Sequence, residues 1–140
     1  INPNINLNIN NSFITKDNIN SIITSDIDYI IDACDTVTTK VELIKIAQAK
    51  GIKIVSIMGT GNRLNPTMLE ITDVYKTNYD PLAKVMRKLL RDNNIKKADV
   101  ITSREMPIKT GSRTPGSTSL VPSVAGIYAT YYIINDILKG

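Results

Sequence analysis

Two aspartates three residues apart, Asp32 and Asp35, close the apolar run of YIIDACDTVTTK at residues 29–40. Carboxylates at the end of a buried strand hold a hard cation such as magnesium together with nucleotide phosphates, or they tie off local backbone groups. Asp35 falls at the edge where a loop leaves for the next helix, the place at which open α/β sheets take ligands. It is the candidate metal ligand, and it is equally placed to cap the helix beginning near Val37; on spacing alone the cap is the commoner outcome. Asp32 faces the other way and could be held by neighbouring backbone. Lys40 lies in the first turns of that helix, where it could reach back to a phosphate or point into solvent. Cys34 reads as a small core residue more readily than as a catalytic thiol. Gly59 and Gly61 would let backbone approach a ligand closely, or simply make a turn.

Composition removes several chemistries. The 140 residues include one cysteine and no histidine, which excludes an intramolecular disulfide, a Cys/His zinc site and any histidine-based triad. The length suits one domain spanning 1–140. No apolar run reaches bilayer length, membrane association is not indicated, and no secretory leader is visible, so the expected location is cytoplasmic. The net charge of +4 is concentrated in Lys84, Arg87, Lys88, Arg91, Lys96 and Lys97, which read as a solvated helix face or as a phosphate-tracking one.

The elements that must position these residues follow from periodicity. INPNINLNIN alternates apolar and polar residues and predicts a half-covered strand. TKDNINSIIT gives a short helix. YIIDACD is a continuous apolar strand of the kind buried on both faces of a parallel sheet. Val41, Leu43, Ile44, Ile46 and Ala47 mark a helix that Gly51 ends in a left-handed cap, and IKIVSIMG is the next strand, completing a βαβ unit. MLEITDVYK reads as an edge strand. DPLAKVMRKLLRDN is a helix with Asp80 as cap and Pro81 at its first position, its apolar face formed by Leu82, Val85, Met86, Leu89 and Leu90. ADVITSRE is a further strand. After the loop at 110–119, a long apolar helix over Val121 to Leu138 packs on the sheet or on a second subunit.

In order and spacing, YIIDACDTVTTKVELI, IVSIMGTGNRLNPTMLEITDVYKTNYDPLAKVMRKLLR and ADVITSREMP together resemble the ThiF/MoeB/HesA superfamily of ubiquitin-activating-like adenylating enzymes. Within it they are most similar to the group of tRNA threonylcarbamoyladenosine dehydratases (TcdA/CsdL). The strand-end Asp-x-x-Asp is shared across the superfamily. Leu64-Asn65-Pro66-Thr67 after the glycines, and Asp80-Pro81-Leu82 before a basic helix, are more specific to the dehydratases. The resemblance implies a Rossmann-like open α/β sheet and ATP-dependent adenylation of the threonylcarbamoyl carboxylate in tRNA, followed by ring closure with loss of water. It matches Asp35 to the position that holds magnesium and phosphate, and Thr36 and Lys40 to neighbouring ATP-binding positions. It also gives Lys84, Arg87, Lys88 and Arg91 weight as tRNA contacts, and implies a homodimer.

The runner-up on this resemblance is a MoeB/ThiF-type activator of a ubiquitin-like sulfur carrier, with sulfur-transfer proteins as partners; a non-catalytic binding module is a third reading. Carrier activators usually have Asn and Arg where Thr36 and Lys40 stand, and carry zinc-binding Cys-x-x-Cys pairs that this chain lacks. Cys34 does not fall at the family's thioester-type cysteine. Ser103 and Glu105 match a Ser-x-Glu pattern at a strand end, with a structural role expected. The family's glycine-rich nucleotide loop, ribose-binding acid and phosphate-contacting Arg and Lys fall before Ile1. The chain is therefore expected to be the C-terminal half of a ThiF-type adenylation domain, with negligible activity alone.

Overall fold

The computed structural model describes residues 1–140. Its secondary structure runs α1 (Ile19–Ile22), β1 (Tyr29–Asp32), α2 (Val37–Lys50), β2 (Lys53–Ile57), β3 (Leu69–Asp73), α3 (Pro81–Asp92), β4 (Asp99–Ser103) and α4 (Leu120–Lys139), with 3-10 turns at Pro66–Met68 and Val74–Lys76. The four strands form one sheet in the order β1-β2-β4-β3. β1, β2 and β4 are parallel, and β3 is the antiparallel edge strand anticipated from its sequence. The expected α/β class and βαβ unit are thus present.

Local chemistry explains the helix ends. Gly51 adopts φ +68° and its N–H donates to the carbonyls of Ala47 and Gln48, while Ile52 N donates to Ala47 O at 2.8 Å. Only a residue that tolerates the left-handed region closes α2 this way without cost. At α3 the Asp80 carboxylate accepts from Ala83 N at 3.0 Å, ahead of Pro81 in the first turn.

Helices cover the two sheet faces unequally. α1, α2 and α3 bury the larger core on one face, around Ile30, Ile44, Ile54, Met86, Leu90 and Val100. On the other face α4 lays Val121, Ala125 and Ala129, four residues apart, against Val55, Leu69 and Ile101. α4 runs from the carboxyl ends of the parallel strands to their amino ends, where Asp136 accepts from the Tyr29 hydroxyl at 2.9 Å and pairs with Lys53.

Three local expectations are corrected. Residues 4–10 form no strand and are exposed throughout, because alternation yields a strand only where another strand supplies the ladder. β1 is not buried on both faces: Ile30 and Asp32 are covered, whereas Ile31 is 45% exposed, since β1 ends the sheet and α4 lies over β2, β3 and β4. On α3, Ala83, Met86 and Leu90 face the core and Val85 is exposed.

Replacing Gly51 by Ala forces a side chain into the left-handed region with no compensating contact, as an added Cβ there meets nothing within 4 Å. We expect G51A to lower unfolding free energy by about 1 kcal/mol in urea titration, with an unchanged m-value.

Candidate functional site

The carboxyl ends of β1 and β2 open on a cleft of about 560 Å³, within the range of small-molecule sites, roughly 300–1,000 Å³. Ala33, Cys34 and Asp35 form one wall and Met58 to Gly61 another; Pro115, Gly116 and Ser117 close it from above. Asp35 is the only charged residue among those lining it. The cap of α2 is Thr36, without a side-chain bond. The capping role of Asp35 is therefore corrected: its carboxylate is exposed at the cleft and not spent on the helix end. Thr36 stands beside it, half-buried.

Lys40 corrects the solvent-facing alternative. Its side chain is 1% exposed, with Nζ 3.1 Å from Asp32 Oδ2 and 2.7 Å from the Ile57 carbonyl. Asp32 Oδ1 in turn accepts from the backbone N–H of Cys34 at 3.2 Å and from its thiol at 3.0 Å. One buried ion pair thus fastens both segments that wall the cleft, the turn after β1 and the end of β2. Lys40 supports the site from behind, with its charge directed at Asp32. Cys34 packs half-buried against the edge of the larger core, as expected, and also lines the cleft wall. Burial, followed by its bond to the Asp32 carboxylate and that carboxylate's charge, pushes the thiol up to about 11, so it is protonated at neutral pH and a poor nucleophile.

The glycines serve the protein's own packing. A Cβ on Gly61 would stand 2.8 Å from Pro115 Cβ, and one on Gly59 3.1 Å from Asp80 Oδ1. Asp80, beyond capping α3, accepts from Gly59 N at 3.1 Å and Thr102 Oγ1 at 2.8 Å. Two residues that sequence reasoning passed over complete the frame. Asn62, at φ +57°, exchanges two 2.7 Å bonds with Gly116 and accepts from Ile108 N. Arg63 is buried and its guanidinium donates to the carbonyls of Ser103, Glu105 and Tyr79. Asn is among the residues that most readily take the left-handed region, which is a signal in the sequence; a lone arginine in a loop gives no sign of burial. The Glu105 carboxylate accepts from Leu64 N and Asn65 N, a structural bond as expected.

The basic helix is divided. Lys84, Lys88 and Arg91 are exposed, Arg91 lying 5.7 Å over the Tyr75 ring. Arg87 is half-buried and donates to the carbonyl and hydroxyl of Thr77, so it is corrected from a free phosphate contact to a tie between α3 and the turn before it. No helix is long and apolar enough to cross a membrane.

A parallel-dominated sheet with a lone carboxylate in a cleft at its carboxyl edge presents that residue where open α/β domains take ligands. The ThiF family matches residues 1–134, and the chain belongs to it. It is 35% identical over 145 residues to the tRNA threonylcarbamoyladenosine dehydratase of Bacillus subtilis, covering 91% of this chain and 57% of the relative. It is 34% identical over 93 residues to the Escherichia coli dehydratase, covering 66% of this chain and 35% of the relative. The crystal structure of E. coli TcdA in complex with ATP superposes with a TM-score of 0.84 at 29% identity, covering 91% of this chain and 55% of that one. The AMP complex gives the same values. The chain spans about half the length of the two relatives that cover most of it.

Removing one partner of the buried pair strands a charge. K40M should destabilise by about 3–5 kcal/mol, and D32N/K40M should recover much of that loss, read by chemical unfolding as a double-mutant cycle. The raised Cys34 pKa fixes a second outcome. Alkylation by iodoacetamide should be slow at pH 7 and accelerate only as pH approaches 11; fast labelling at neutral pH would contradict the bond to Asp32.

Proposed function

We propose that this chain is the C-terminal part of an ATP-dependent tRNA threonylcarbamoyladenosine dehydratase, acting in the cytoplasm as a homodimer. The observation that carries the reading is the solitary, uncapped Asp35 in a cleft at the carboxyl ends of β1 and β2. A single carboxylate in an otherwise uncharged cleft repels a bare nucleotide and suits one that arrives with a cation. Asp35 would hold the magnesium ion, whose charge offsets that of the phosphates and which takes its remaining oxygens from phosphate and water. The residues fit that ion, because a hard oxygen donor stands free at the cleft and magnesium is commonly held by one or two carboxylates together with phosphate and water.

Within this reading Thr36 and the adjacent backbone border the phosphates, and Lys40 holds the wall that presents Asp35. The substrate carboxylate attacks the α-phosphorus of ATP and pyrophosphate leaves. The ring then closes on the activated acyl carbon as AMP departs, a net loss of water. Support comes from the named relatives, which are dehydratases, and from a related structure that holds ATP. The exposed row Ile127, Tyr131 and Ile134 on α4 offers an apolar face for the second subunit.

ATP–pyrophosphate exchange by the native gene product tests the reading. Exchange should depend on tRNA bearing threonylcarbamoyladenosine, and D35A should reduce it by at least about 10²-fold while leaving thermal unfolding unchanged. Exchange stimulated by a ubiquitin-like sulfur carrier and not by tRNA would replace the reading with carrier activation.

A further inference from the structure

We infer that the loop at residues 109–114 grips the phosphodiester backbone of the RNA substrate through Lys109 and Arg113. The inference rests on the tRNA reading above and adds to it a place for the polyanion. Both ends of this loop are anchored at Asn62, beside the cleft. Ile108 N donates to Asn62 O at 2.8 Å, and Gly116 N to Asn62 Oδ1 at 2.7 Å, with Asn62 N returning a bond to Gly116 O. Pro115, Gly116 and Ser117 line the cleft directly, so the six residues before them stand at its mouth.

That loop, KTGSRT, is exposed throughout and carries two cations and three hydroxyls. No carboxylate occurs between Glu105 and Asp136. Its shape is set locally: Gly111 turns at φ +73°, Ser112 N donates to Thr110 Oγ1 and Thr114 N to Ser112 Oγ. The ion pairs of the chain use neither Lys109 nor Arg113. Two free cations, Lys109 and Arg113, therefore stand at the mouth of a cleft whose only charge is negative. That arrangement holds a strand of phosphates outside while a single nucleoside enters. ATP phosphates have a different place, inside the cleft near Asp35, where residues 109–114 contribute no lining.

The test is tRNA binding and ATP–pyrophosphate exchange by the native gene product, comparing wild type, K109A/R113A and K96A/K97A. The last pair precedes β4, at the end of the sheet remote from the cleft. K109A/R113A should weaken tRNA binding by about tenfold and lower the slope of log K against log salt by about 1.5, with the KM for ATP unchanged and K96A/K97A near wild type. Unchanged tRNA affinity overturns the inference. So does a raised KM for ATP with tRNA affinity intact, which would assign the loop to the nucleotide, or an equal loss in K96A/K97A, which would make the effect one of bulk charge. A wild-type protein that binds no tRNA would instead refute the dehydratase reading itself.

Discussion

The cleft depends on the contact between Lys40 and Asp32. Two opposite charges taken out of water repay their desolvation only when their remaining hydrogen-bonding capacity is used. Here Lys40 also donates to the Ile57 carbonyl and Asp32 also accepts from Cys34. Each satisfied bond lands on a segment that borders the cleft, so the electrostatic requirement and the geometric one are met by the same atoms. Asp35 is presented by a turn whose preceding residues cannot shift without breaking a buried ion pair.

A second frame stands opposite. Asp80 ends a helix, receives the N–H of Gly59 and receives the hydroxyl of Thr102. One carboxylate thereby joins α3, the loop after β2 and the last strand added to the parallel set. Gly59 and Gly61 are small because Asp80 and Pro115 press on them. Their glycine character is thus explained by contacts inside the chain before any ligand is considered.

Periodicity and capping made most of the elements legible. Gly51, Asp80-Pro81 and the stripe of α2 carry their structural instruction locally, and those elements formed as read. The failures share a cause, since each required knowing what lies across from a residue. Alternation at 4–10 could not reveal that no strand would pair with it, and the apolar run of β1 could not reveal that one face ends the sheet. For the candidate site, spacing singled out Asp32, Asp35 and Lys40, but the partner of Lys40 sits eight residues back across a helix turn and was invisible to a linear reading. Asn62 and Arg63 act through partners brought together only by the fold.

Arg63 has a consequence for how the domain assembles. Its backbone acceptors lie 16, 40 and 42 residues further along the chain. The entropy of closing such loops is recovered only after the distant segments have arrived. The turn bearing Arg63 therefore cannot settle until β4 has joined β2 and brought Ser103 and Glu105 within reach. This wall of the cleft therefore becomes ordered only once the sheet is assembled through β4, and it loosens when the sheet frays there.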